Sequence, residues 1–326
     1  MPIVPPFRPG ERVALRPPQE IIATLDAAAT FEGVPFMPEM LQYYGRAFTV
    51  AARVEKICDT ICPVGSRRMG NAVFLEDLRC DGAAHGGCQA ECRIYFKEAW
   101  LMRVPPGTRP APPEELPLAA LTRLANTHVR QGDPSLFRCQ ATEARRATTP
   151  LPTYDVRQYA REVQSGNVPL GRMLRLSLRI VWWELRSLAR RPAGHLPRVR
   201  RMFGQPAPLG LKPGEWVEVR SAAEIARTLD RRNMNRGLYF SAPEMMPACG
   251  KRFRVRRRVT RIIDEPTGRM LTLKNDCIVL DGPLCDGERS IGRWFCSRQI
   301  YPYWREAWLM RAEAPTQPAN EDRPAA

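Results

Sequence analysis

Residues 10–26 and 214–230 of this 326-residue chain, GERVALRPPQEIIATLD and GEWVEVRSAAEIARTLD, are identical at nine of 17 positions. The match continues downstream. PEMLQYYGRAFTVAARVEKICD (38–59) answers PEMMPACGKRFRVRRRVTRIID (243–264), and YFKEAWLMR (95–103) answers YWREAWLMR (303–311). Spacing is kept to within a few residues throughout. The chain therefore reads as two copies of one module, and any fold assigned to it must serve both.

Each copy carries the same local signals. Val13 and Leu15, like Val217 and Val219, alternate as one face of a strand. Ile21 and Leu25, like Ile225 and Leu229, are spaced for one helical face. Pro38 and Pro243 suit a first helical turn, and Gly45 and Gly250 the cap that closes it. AFTVAARV and RFRVRRRV alternate again, and NAVFLEDL and CIVLDGPL read as the next strand. The KEAWLMR and REAWLMR ends, with Trp100 and Trp308, read as aromatic segments that seal each core. The expectation is an α+β protein: two tandem copies of a small β-rich module, an SH3-like barrel or similar, separated by a mostly helical basic insert. The expected divisions are a tail at 1–9, copy one at 10–103, a Pro-rich linker at 104–118 and the insert at 119–204. A second linker at 205–213, copy two at 214–311 and a disordered tail at 312–326 complete the chain.

Charge is concentrated in the insert. The chain carries a net +16, and residues 119–213 hold 16 arginines and one lysine against five acids. Only five of the 50 basic residues are lysines and 32 residues are prolines, the usage of a GC-rich bacterial genome, so basicity by itself does not specify nucleic acid. Within GRMLRLSLRIVWWELRSLARR (171–191), Arg172, Arg175, Arg179, Arg186 and Arg190 form a helical stripe. Leu174, Leu178, Val181, Leu185 and Leu188 lie roughly opposite, which makes a basic amphipathic helix. Packing on its own protein with a solvated arginine face is the first expectation. An anionic membrane surface is the second, and nucleic acid the third. No secretory leader and no apolar run of spanning length is found, so the expected location is cytoplasmic, with peripheral membrane attachment as an option.

Ten cysteines in such a compartment are ligands or buried thiols before they are disulfides. RCDGAAHGGCQAEC (79–92) places Cys80, His85, Cys88 and Cys92 within 13 residues. Thiolates and an imidazole in a set of four suit zinc, with iron as the other option, and Gly82, Gly86 and Gly87 allow the backbone to turn tightly enough for convergence. Cys58 and Cys62 form a second, alternative pair. In copy two Cys285 answers Cys80, and Cys296 is expected to answer Cys92, with nothing in the places of His85 and Cys88. Ile263 stands opposite Cys58. A copy-two site would need Cys277, Cys285 and Cys296 with Cys249 or Cys139 as a fourth thiolate. A His85–Cys88 nucleophile pair is a third reading, while His128 and His195 have no ligand-like neighbours.

Walker loops, dinucleotide fingerprints, nucleophile elbows and HExxH sequences are all missing, which removes the familiar routes to an enzyme. Arg79–Gly82, His85–Gln89, Cys92 and Lys97–Leu101 compose an RCDG…HGGCQ…C…KEAWL pattern. In this the chain resembles a group of cysteine-rich bacterial proteins. The resemblance implies a bacterial origin and a biosynthetic or polysaccharide gene setting, and supplies no activity. The leading expectation is a metal-binding accessory or interaction protein with an unidentified protein partner. A metalloenzyme using the same cluster is the alternative, followed by an anionic-membrane or nucleic-acid binder that uses the arginine helix.

Overall fold

The computed structural model describes residues 6–61, 65–108, 110, 124, 135–152, 154–189, 206–288 and 293–314, with backbone only at 180, 181 and 183–189. Its fold is mixed α+β, mostly sheet with few helices. In the first matched stretch, β1 (Arg12–Leu15) leads to α1 (Pro18–Thr24) and to a short hairpin of β2 (Thr30–Phe31) and β3 (Val34–Pro35). A 3-10 turn over Pro38–Tyr43 precedes β4 (Ala47–Arg53), the hairpin β5 (Ile57–Cys58)–β6 (Ser66–Arg68), β7 (Ala72–Leu75), β8 (Phe96–Lys97) and β9 (Leu101–Arg103). These strands give a five-stranded antiparallel sheet in the order β8-β7-β4-β1-β9.

Between the matched stretches lie α2 (Gln140–Glu143), β10 (Thr149–Leu151), α3 (Arg157–Gln164) and α4 (Leu170–Ala189). β10 pairs with β6 and so extends the β5–β6 hairpin. The second stretch begins with β11 (Trp216–Val219) and α5 (Ala222–Arg227), followed by a hairpin of β12 (Met234–Asn235) and β13 (Leu238–Tyr239). It continues through α6 (Ala242–Met245), β14 (Arg252–Arg258), the hairpin β15 (Arg261–Ile263)–β16 (Met270–Thr272), β17 (Ile278–Leu280) and β18 (Leu309–Arg311). Its sheet runs β17-β14-β11-β18.

The matched residues pair in the same register. Val13 faces Phe48 and Arg103, and Val217 faces Phe253 and Arg311. Each sheet also carries a bulge at one position, between Val50 and Ala52 and between Val255 and Arg257. The sealing tryptophans obey the same rule. Trp100 Nε1 donates to Thr24 Oγ1 at 3.2 Å and Trp308 Nε1 to Thr228 Oγ1 at 3.0 Å. Phe36 and Phe240 meet these indoles edge-on with centroids 5.2 Å apart. Both indoles are fully buried, and an aromatic body with its one N–H satisfied is the form in which tryptophan is stable in a core.

Two expectations need correction. Among the described residues neither sheet closes, so the architecture is a pair of open antiparallel sheets and not an SH3-like barrel. The Pro-Glu-Met segments form a 3-10 turn and a one-turn α6 rather than full helices, because Gly45 and Gly250, at φ 68° and 74°, end them within two turns.

The chain folds into two compact units that interleave along the sequence. One comprises Met1–Pro192, Arg261–Thr272 and Cys285–Ile300; the other comprises Ala193–Thr260, Leu273–Leu284 and Tyr301–Ala326. The first unit therefore contains both hairpins, β5–β6 and β15–β16, and both CDG loops.

These loops impose the tightest backbone condition among the described glycines. Gly82 has φ +73°, and a Cβ there would sit 2.0 Å from the carbonyl oxygen of Cys88. Gly250 has a similar φ but open space around it. Gly82→Ala is accordingly expected to lower stability by more than about 3 kcal/mol, and Gly250→Ala by only about 1–2 kcal/mol of left-handed backbone strain. Thermal or denaturant unfolding of the two variants measures the contrast.

Candidate metal centre

Cys80 leaves β7 on a loop anchored at both ends. Its N–H donates to the carbonyl of Cys92 at 2.8 Å, and Arg79 bridges to Arg93 beside it. The intervening loop turns on left-handed glycines. The N–H groups of His85 and Gly87 both reach the Gly82 carbonyl, at 3.1 and 2.9 Å, and Gly86 and Gly87 have φ near +70°. This winding brings His85 back over Cys80. The ring presents Nε2 to Cys80 Sγ at 3.2 Å and Nδ1 to Glu39 Oε1 at 3.7 Å. Glu39 Oε1 lies 3.4 Å from Cys80 Sγ. It comes from the 3-10 turn, where it is buried as the residue after Pro38.

The three donor atoms therefore lie within 4.8 Å of one another. Around a tetrahedral zinc with ordinary Zn–S, Zn–N and Zn–O bonds, neighbouring ligand atoms stand about 3.4–3.6 Å apart. The separations from Cys80 Sγ, 3.2 Å to His85 Nε2 and 3.4 Å to Glu39 Oε1, lie close to that spacing. A second observation points the same way. Glu39 is 8% exposed, and its other oxygen, Oε2, is buried without a hydrogen-bond partner among the described residues. A carboxylate in that state is destabilised unless a cation or a proton satisfies it.

The triad opens on a cavity of about 50 Å³, enough for an ion with a further small ligand. Cys88, Cys92 and Cys139 line the same cavity, with Arg298 and Glu265 at its edge. Cys139 caps α2, where backbone N–H groups of Ala141 and Thr142 point at its sulfur. Cys88 Sγ accepts the N–H of Ile263 at 3.4 Å. Of the four sequence-expected ligands, the structure thus gathers Cys80 and His85 into one tight group and places Cys88 and Cys92 on the wall. Cys58 lies outside the cavity lining, and Cys62 outside the described residues. Arg172 and Arg179 pair with Glu288, and Arg175 donates to the carbonyl of Gly171. The side chain of Arg186 and the whole of Arg190 lie outside the described residues.

Electrostatics favour a cation. Burial pushes the Cys80 thiol far above its ordinary range and raises the Glu39 carboxyl, while it lowers the His85 imidazole. Burial likewise pushes Cys92 and Cys139 up to about 12. Without a cation the triad is therefore a neutral thiol, a carboxyl that holds its proton more tightly than usual, and a neutral imidazole. A divalent ion supplies the positive charge that allows the first two to ionise.

Glu39 and Cys139 are the two site residues that sequence reasoning passed over. Glu39 sits in a matched Pro-Glu-Met segment some forty residues before Cys80, and Cys139 in the insert beyond the Pro-rich linker. The copy-two alignment also needs correction. Extending the YFKEAWLMR match backwards without a gap sets Cys296 opposite Cys88, and Ile300, not Cys296, opposite Cys92. The backbone agrees. Left-handed Gly87 and Glu91 flank Cys88 as left-handed Phe295 and Gln299 flank Cys296, and the Cys80 N–H bond to Cys92 recurs from Cys285 to Ile300. Comparison of the chain with protein-family models, with curated proteins and with solved structures finds no match.

The wall of the site rests on Gln140. Its side chain is buried, accepts the Tyr95 N–H at 2.7 Å, and donates to the carbonyls of Tyr95 and Pro35 at 2.9 and 3.0 Å. Gln140→Ala would orphan all three backbone groups. A loss of about 3 kcal/mol is expected in denaturant unfolding.

Proposed function

We propose that this is a metal-binding protein whose ion is zinc, held by Glu39, Cys80 and His85. We further infer that the two matched sheets are copies of one module, of which only the first carries this site. The observation that carries the reading is the buried triad with its ligand-like spacing and its unsatisfied carboxylate oxygen. Three protein donors facing a cavity leave a coordination position for a small molecule, the arrangement of zinc sites that act on a ligand rather than merely cross-link a fold. A fourth ligand from Cys88, Cys92 or Cys139 would close the site and make it structural. The resemblance to cysteine-rich bacterial proteins supports an accessory role in a biosynthetic pathway, with a protein partner.

Elemental analysis of the purified chain tests the proposal. About one zinc per chain is expected, with affinity reduced roughly 10- to 100-fold or more by Glu39→Gln and by His85→Ala. Absence of zinc or iron from the wild-type protein, or unchanged loading of both variants, would remove it. Cys88→Ser separates the two coordination schemes: retained affinity favours the open triad, and lost affinity the closed site.

Binding is also expected to depend on pH. Metal must displace protons from Cys80 and Glu39, whose affinities for protons are raised, but not from His85, which stays neutral. Affinity therefore rises with pH, by about one decade per unit between pH 6 and 8 for the Cys80 proton, and isothermal titration in buffers of different ionisation enthalpy counts the protons released.

A second reading concerns α4. Leu170, Leu174, Leu178 and Trp182 recur every fourth residue and are 60%, 55%, 69% and 51% exposed, while Met173 and Leu176 face the protein. The expected packing of Leu174 and Leu178 on their own protein is thus not realised, and an exposed apolar stripe beside Arg172, Arg175 and Arg179 favours an anionic membrane surface. No helix of the described residues is long and apolar enough to cross a membrane. Sedimentation with phosphatidylserine-containing vesicles is expected to show salt-sensitive binding, lost in Leu174→Glu/Leu178→Glu. Equal binding to neutral vesicles would count against an electrostatic contribution.

A further inference from the structure

Two cysteines of the N-terminal unit stand apart from the metal cavity and meet each other. Cys58 ends β5, and Cys296 lies on the loop of residues 285–300. The Cys58 N–H donates to Cys296 Sγ at 3.1 Å, which sets the Cys296 sulfur against Cys58. Both residues are buried, at 6% and 4% exposure.

Their arrangement repeats the loop-and-hairpin contact beside the metal centre with two changes of side chain. In the alignment Cys296 stands opposite Cys88, and Cys58 opposite Ile263. Cys88 Sγ accepts the N–H of Ile263 and Cys296 Sγ the N–H of Cys58. The next residue repeats the pattern: Gln89 N–H donates to the Arg261 carbonyl and Ser297 N–H to the Lys56 carbonyl, at 3.1 and 3.2 Å. Each CDG loop is thus gripped by the hairpin of the other matched stretch. Where β15 brings an isoleucine side chain to the gripped cysteine, β5 brings a thiol. The place of His85 is taken by Arg293.

We propose that Cys58 and Cys296 form a redox-active dithiol that closes to a disulfide on reaction with a hydroperoxide. Three features of the geometry support this. Cys296 Sγ already lies against the Cys58 backbone, so closure needs no approach of distant segments. The guanidinium groups of Arg293 and Arg298 act favourably on the Cys58 sulfur, and Arg298 Nη1 also reaches the Cys58 carbonyl at 3.4 Å. Backbone N–H donation into Cys296 Sγ steadies the leaving and resolving sulfur. Burial admits a water-sized oxidant more readily than a bulky disulfide reagent.

The chemistry balances. The Cys58 thiolate attacks one peroxide oxygen, breaks the O–O bond and becomes a sulfenic acid, while the other oxygen leaves as hydroxide or alkoxide and takes up the proton. Cys296 sulfur then attacks the sulfenic sulfur. The S–S bond forms, the S–O bond breaks, and water leaves with the Cys296 proton. Two electrons pass from the thiol pair to the peroxide. A dithiol reductant reverses the closure.

The test uses the full chain carrying Cys62→Ser, so that the tryptic peptide 57–67 holds a single thiol. After stoichiometric hydrogen peroxide and alkylation, non-reducing mass spectrometry is expected to find peptide 57–67 joined to peptide 294–298, and dithiothreitol to release both. Cys296→Ser should instead leave Cys58 as a trappable sulfenic acid, and Glu39→Gln should leave the linkage unaffected, which keeps this result separate from that of the metal site. If Cys58 and Cys296 stay unlinked while other cysteines oxidise, or if the linkage forms only after denaturation, the proposal is overturned.

Discussion

The close approach of Gly82 to the backbone of Cys88 sets the geometry of the candidate centre. At 2.0 Å from the Cys88 carbonyl oxygen there is no room for a side chain, and the left-handed φ of Gly82 excludes most residues independently. That contact folds the loop back on itself, so His85 returns over Cys80 and Cys88 turns toward β15. Gly287 repeats the condition against Cys296, with a virtual Cβ 2.6 Å from its nitrogen. Both loops are thereby presented to a hairpin from the other matched stretch, and the N-terminal unit is assembled from segments far apart in sequence.

Burial then gives similar side chains different chemistry. Cys80 is surrounded by acids and thiols, so the penalty for charging it is unrelieved until a cation arrives. Cys296, then Arg298 and Arg293, hold the Cys58 thiol below its ordinary value, while Cys58 and burial push Cys296 up. A metal-ready centre and a thiol pair arise from the same loop and hairpin because residue 85 is histidine where 293 is arginine, and residue 58 is cysteine where 263 is isoleucine.

Much of this was legible in the residues. Alternation located β1, β4, β11 and β14, and the repeated EAW segments located the buried indoles, because strand faces and aromatic cores follow from local spacing. The helix expected over 171–191 is found over Leu170–Ala189. Its buried side was not legible: Leu174 and Met173 are equally apolar, and only the position of Val168, Tyr159 and Phe295 determines which of them is covered. The correspondence of Cys296 with Cys88 lies in the ungapped match that runs back from Tyr303, whereas cysteine spacing alone suggests Cys92. Glu39 could not be recovered by spacing, since its ligand-like position depends on a turn some forty residues from Cys80.

The sequence by itself determined the matched strands, their common register, the apolar interiors, and the clustering of ligand-type residues at 80–92. These depend on periodicity and on neighbours close in the chain. The tertiary structure decided which of those residues meet: Glu39 rather than Cys92 beside Cys80 and His85, Cys139 on the cavity wall, and Cys58 against Cys296. Such encounters rest on long-range packing, where a few ångströms of backbone placement decide whether a carboxylate is a cap or a ligand, and no local pattern carries that distance.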